Sequence, residues 1–211
     1  MSRLTKDQIN RHRAAFERWQ SPEEMLRRYD EIRSQMTGEE FFNQPGLQFV
    51  LDTWAAATFG SMCSAEEVRL VPETECWPDF ELRRNGTAER WEVTEADVPG
   101  RRRGEEYRYD PLVPGDRALG LDHPENYIAW AERAPEAIRA VCTKKAAKNY
   151  SDNVSLLVYL NISDFGARHQ EVVNSFQDAT RPAKDKFKEV WILWKNRTYR
   201  VWPTVANEAG A

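Results

Sequence analysis

The sequence predicts an α/β protein built on a mixed sheet. Three observations carry that prediction. The run Ser155–Ile162 (SLLVYLNI) is apolar without alternation, the pattern of a strand buried on both faces. Segments with helical spacing stand on both sides of it. Asn85-Gly86 and Lys195-Asn196-Arg197 each separate two β-type runs, so hairpins join the same sheet as the crossover.

The elements follow in order. Residues 1–60 read as helical, and capping chemistry marks three starts. Thr5 precedes Gln8, Ser21 precedes Glu24, and Thr37 precedes Glu40, each at capping-box spacing. Pro22 occupies the favoured first position of the second helix, and Met25, Leu26, Tyr29 and Ile32 form its apolar stripe. Leu47–Phe59 predicts a more buried helix ending near Gly60. Strands are expected at Val68–Val71, Pro78–Arg83 and Ala88–Thr94. The last two meet at Asn85-Gly86, a pair in which both residues accept positive φ.

Pro99–Gly120 has no hydrophobic period and reads as a long loop. A helix follows over Pro124–Tyr150, kinked or restarted at Pro135. After the buried strand come a short helix, His169–Thr180, and a hairpin of Val190–Trp194 with Thr198–Trp202. Trp191, Trp194 and Trp202 fall between strand residues, where core packing outweighs base stacking.

Composition excludes several classes. Eight Trp, nine Phe and seven Tyr in 211 residues argue against a wholly disordered chain. Cys63, Cys76 and Cys142 make neither a disulfide framework nor a Cys/His zinc cluster. The polar start MSRLTKDQIN does not read as a signal peptide, and the longest apolar run is about nine residues, too short to cross a bilayer. A cytoplasmic setting and no membrane partner are the expectation. The net charge of −4 excludes a polybasic coat, so any phosphate contact must come from local patches. No GxGxxG, GxxxxGK[ST] or GxSxG is present, which removes dinucleotide, P-loop and serine-hydrolase readings. His12, His123 and His169 are scattered and show no triad partner.

The Asn85-Gly86 turn fixes a register. A two-residue loop pairs Phe80 with Trp91, Glu81 with Arg90, and Asp79 with Glu92. The first two pairs are favourable. The third sets like charges face to face, at a cost of about 4 kcal/mol near a protein surface at ~4 Å. A hard divalent cation turns that repulsion into attraction. Two solvated acids on an exposed hairpin are the alternative.

Pro78-Asp79, a hairpin, then Glu92-Val93-Thr94 resembles the motif of the PD-(D/E)XK nucleases, with the two acids 13 positions apart. The element order over residues 45–203 resembles the restriction-endonuclease-like core, and residues 1–44 stand outside it as an N-terminal helical extension. The segment Lys144-Lys145-Ala146-Ala147-Lys148-Asn149-Tyr150 is similar to core helices of that family carrying basic residues and a tyrosine. One departure is clear: the motif lysine falls on Thr94.

The resemblance implies Mg²⁺, or Mn²⁺, held by Asp79, Glu92 and the Val93 carbonyl. It implies phosphodiester hydrolysis of nucleic acid, DNA before RNA. Thr94 would position water, and the missing lysine would come from Lys145, with Lys144 and Lys148 as the other candidates. A further acid is sought at Asp52 or Glu75. Glu95 alternates off that face. Arg101, Arg102, Arg103, Lys144, Lys148, Lys184 and Lys186 are the candidate nucleic-acid contacts, and solvated surface is their plainer role. Residues 1–44 offer a homodimer or partner contact. The second function class is a catalytically inactive member of the same fold that binds nucleic acid or protein.

Overall fold

In the computed structural model, residues 3–72, 74–75, 78–101, 124–150, 153–163, 166 and 168–204 are described. Most of the expected loop 99–120 therefore lies outside the described residues. The strands form one six-stranded mixed sheet in the order β1-β2-β3-β4-β5-β6, flanked by helices. No helix among the described residues is long and apolar enough to cross a membrane. The chain divides into two units, Met1–Ala88 with Gly100–His123, and Glu89–Pro99 with Pro124–Ala211.

The first unit holds α1 (Lys6–Phe16), α2 (Pro22–Arg33), α3 (Gly38–Asn43), α4 (Gln48–Met62), β1 (Glu67–Leu70) and β2 (Phe80–Arg84). Residues 1–44 thus share a unit with α4 and the first two strands. Thr5 and Thr37 close reciprocal capping boxes with Gln8 and Glu40. Ser21 accepts from the Glu24 amide behind Pro22, while the Glu24 carboxylate turns to Arg27 and Arg28.

Helix α4 does not end at Gly60 but runs two residues past it. The glycine serves close packing instead: a Cβ there would stand 3.3 Å from both Leu82 Cδ2 and Pro22 Cγ. Strands β1 and β2 pair antiparallel with Val68 opposite Leu82 and Leu70 opposite Phe80, all four buried. Their alternate positions carry Arg69–Glu81 at 2.6 Å and Arg83–Glu67 at 2.5 Å. Both guanidinium groups lie over the Trp19 ring. Strand β2 begins at Phe80 rather than Pro78, since proline has no N–H to give a ladder. Asn85 and Gly86 hold φ of 52° and 70°, the two positive values a tight hairpin turn demands.

The second unit holds most of β3 (Thr87–Ala96), α5 (Pro124–Ala146), β4 (Val154–Leu160), α6 (His169–Ala179), a single 3₁₀ turn, β5 (Val190–Trp194) and β6 (Arg197–Trp202). Strand β4 runs parallel to β3, with Glu92 opposite Leu156 and Thr94 opposite Val158. It also runs parallel to β5, so both of its edges are paired and the sequence needs no polar alternation. The antiparallel β5–β6 pair turns through Lys195-Asn196, with Trp194 opposite Arg197.

Ala131, Ala134, Ile138 and Cys142 form the buried stripe of α5, which packs on β4. The helix continues through Pro135 without restarting, and it ends at Ala146, four residues before the expected Tyr150. Trp194 and Trp202 are buried and donate from Nε1 to the Ile162 carbonyl and Thr180 Oγ1, so both belong to the core.

Candidate active site around Glu92

Glu92 stands in the middle of β3 and is 3% exposed. A carboxylate so placed demands compensation, because an uncompensated buried charge is costly. Two groups supply it. Lys145 Nζ donates to Glu92 Oε2 at 2.5 Å, and the Tyr150 hydroxyl donates to the same oxygen at 3.0 Å. No described residue hydrogen-bonds the other oxygen, Oε1.

Helical geometry explains why Lys145 is the one that arrives. Ile138, Cys142 and Lys145 are spaced by four and three residues, so they lie along one face. That face is the buried stripe packed on β4, and the lysine extends it toward the neighbouring β3 strand. Lys144 is turned about 100° away and is exposed; Lys148 lies beyond the helix end and is exposed too. Tyr150 follows in the connection to β4. Its ring sits 5.2 Å from that of buried Phe187, which fixes the direction of the hydroxyl. Nothing in the spacing of Tyr150 points to a strand 58 residues earlier, so the sequence does not mark it as a site residue.

The other candidates are distributed as follows. Thr94 is half-buried, two residues along β3 from Glu92 and therefore on the same face of the sheet. Val93 is buried between them. Glu95 is half-buried and accepts from Asn161 Nδ2 at 2.8 Å, while the Asn161 amide bonds the Ala96 carbonyl.

Asp79 belongs to the first unit, half-buried, with its carbonyl accepting from the Val71 amide. Asp52 on α4 is half-buried and Glu75 is exposed in that unit. Arg101 is half-buried; Arg102 and Arg103 lie outside the described residues. Lys184 and Lys186 are exposed, and Lys184 Nζ stands 4.7 Å above the Trp202 ring. Among the described residues no group of three or more His, Cys, Asp or Glu is gathered as for a metal ion.

Chemically, the cluster is a buried carboxylate hydrogen-bonded at Oε2 by a lysine and a phenol, with no described residue bonded to Oε1. No family model, no curated protein and no solved structure matches the chain.

Proposed function

We propose that the protein is a Mg²⁺-dependent phosphodiesterase acting on nucleic acid, DNA before RNA, through a PD-(D/E)XK-like site on a restriction-endonuclease-like core. The observation that carries this reading is Lys145 on Glu92. The chain lacks a lysine at position 94, and a lysine from α5 stands at the second acid of the motif.

The donor set suits a hard cation. Oxygen ligands at Glu92, Asp79 and the Val93 carbonyl match what Mg²⁺ takes, one or two carboxylates with waters and phosphate oxygens completing the shell. Glu92 Oε1 supports the fit, since both donors fall on Oε2. Asp79 enters through the register of the Asn85-Gly86 turn. When bound, the ion would lower the pKa of its water and offset charge building on the phosphate.

The chain's own residues do the rest. Lys145 orients Glu92 through Oε2, and its Nζ is the donor available to orient an attacking water. Tyr150 fixes the same oxygen from a second direction. The Thr94 hydroxyl, on the Glu92 face, offers a neutral hydrogen bond to that water. Lys144 and Lys148, exposed beside Lys145, offer phosphate contacts.

The test is cleavage of plasmid and single-stranded substrates with Mg²⁺ or Mn²⁺, with Glu92→Gln as control. Divalent-dependent cleavage that Glu92→Gln abolishes supports the reading. The second reading, a noncatalytic binding module, is favoured by Thr94 and by the closed Lys145–Glu92 pair, which also serves as structure. Binding of nucleic acid without cleavage under any divalent ion selects it.

A further inference from the structure

The sheet ends at β1 on one side and at β6 on the other. The β1 edge is occupied: Gln20 exchanges both backbone bonds with Val68, at 3.2 and 2.8 Å. Along β6 no described residue pairs with the outer side. The two-residue turn makes Trp194–Arg197 the first hydrogen-bonded pair of the β5–β6 hairpin, and bonded pairs alternate, so Ile192–Tyr199 is the next. The bond from the Leu156 amide to the Glu189 carbonyl agrees, since it turns the odd-numbered residues of β5 toward β4 and the even-numbered ones toward β6. Thr198 and Arg200 therefore aim their amides and carbonyls outward.

A groove of about 320 Å³ runs beside that edge, between β6 and α6. Val173 and Phe176 form its helical wall, and Tyr199 and Val201 its strand wall. Phe176 meets the Tyr199 ring edge-on at 5.2 Å, and the Tyr199 hydroxyl is tied to His169 Nε2 at 3.1 Å, so the walls are fixed in advance. Arg197 stands two residues from Tyr199 and so on the same face of the sheet. It is exposed and has no ion-pair partner among the described residues. Arg200 adds a second cation, held to Glu189 at 2.7 Å.

Backbone pairing selects the kind of ligand. Each outward residue offers a donor and an acceptor together, and a second polypeptide strand answers both at the same repeat. A phosphodiester backbone has acceptors but no donors. A second copy of this chain would bring its own Arg197 and Arg200 to the seam, and like charges disfavour that pairing. We propose that the β6–α6 groove binds an extended acidic segment of a partner protein by strand addition. One apolar side chain enters the groove, and an acidic one two positions away meets Arg197.

The experiment is calorimetric titration of the full chain with the peptide acetyl-TETVTET-amide, whose central valine has a glutamate two positions away in either direction. It binds below millimolar concentration. Replacing both glutamates by lysine, or methylating alternate backbone nitrogens, weakens it by roughly tenfold or more, about 1.4 kcal/mol. Arg197→Glu inverts the charge preference, so the lysine peptide becomes the tighter one. Thr198→Pro removes one outward N–H, a change an edge strand tolerates, and it weakens the glutamate peptide by the same factor with an unaltered circular dichroism spectrum. Glu92→Gln leaves peptide affinity unchanged, which separates this edge from the hydrolytic site. The proposal is overturned if the glutamate peptide does not bind at millimolar concentration, if affinity survives backbone methylation, or if Arg197→Glu keeps the original preference. A concentration-dependent dimer of the unliganded protein that Thr198→Pro dissolves gives the edge to a second copy and overturns it as well.

Discussion

Lys145 Nζ and Glu92 Oε2 meet at 2.5 Å across 53 residues of sequence, with the two side chains 14% and 4% exposed. Removing one partner of so enclosed a pair leaves the other charge stranded. Lys145→Ala should therefore lower stability by about 3 kcal/mol and cleavage by roughly 10²-fold or more. Lys144→Ala and Lys148→Ala should change stability within about 0.5 kcal/mol and act on substrate binding alone. Denaturant melts with cleavage assays on the three variants check this. Equal effects from Lys144 and Lys145 would sink the assignment.

Tyr150→Phe isolates the second donor. The ring keeps its contact with Phe187 while the buried carboxylate loses one charge-assisted hydrogen bond. The expected loss is about 1.5–3 kcal/mol. Cleavage should fall less than in Lys145→Ala, because the lysine still holds the same oxygen. A Tyr150→Phe protein as stable as wild type would show the phenol to be idle.

Metal should act through Glu92. A cation bound only by the folded state stabilises it, by about 2.7 kcal/mol at a hundredfold excess over Kd. Mg²⁺ or Mn²⁺ should raise the melting temperature of the wild type, and neither ion should do so in Glu92→Gln. Asp79→Asn tests the register of the Asn85-Gly86 turn by the same readout. A metal shift that persists in Asp79→Asn would place the ion away from that residue.

The readable parts of the fold are those in which a local rule decides. Thr5, Ser21 and Thr37 cap helices where their spacing to Gln8, Glu24 and Glu40 says they should. Asn85-Gly86 forces positive φ, and Ser155–Ile162 has the doubly buried pattern of a strand paired on both edges. Tertiary contacts decided the rest. Gly60 reads as a helix stop, yet Leu82 and Pro22 press on it, so its lack of a side chain is used for packing. The end of α5 at Ala146 carries no glycine or proline to announce it. Lys145 was legible because its face follows from the helical period. Tyr150 was not, because its hydroxyl is aimed by Phe187, a residue no local pattern connects to it.

Gly60 gives a packing test independent of function. Gly60→Ala gains up to about 1 kcal/mol of helix propensity, and two contacts at 3.3 Å take much of it back. The net change should be small. Gly60→Val adds two methyl groups against β2 and α2 and should cost about 1–3 kcal/mol. Urea melts decide, and a stabilised Gly60→Val would mean that α4 and β2 are not in tight contact.

Cys142 provides a pH-dependent test of the α5 stripe. The residue is fully buried, and burial pushes its thiol from an ordinary value of 9.0 up to about 12. The folded state thus holds the proton more tightly than the unfolded chain does. Stability from this group is fully present below pH 9.0 and is lost as pH rises toward 12. The slope approaches about 1.4 kcal/mol per pH unit in that window. The measurement is a difference between wild type and Cys142→Ala, which isolates this group. The variant should be less stable at pH 7, having lost buried volume, and the gap should narrow steadily between pH 9 and pH 11. Alkylation mapped by mass spectrometry gives a second reading, with Cys142 unlabelled in the folded protein and labelled in denaturant. A gap that stays constant across the alkaline range would place the thiol in contact with water and α5 off the sheet at that turn, one turn before Lys145.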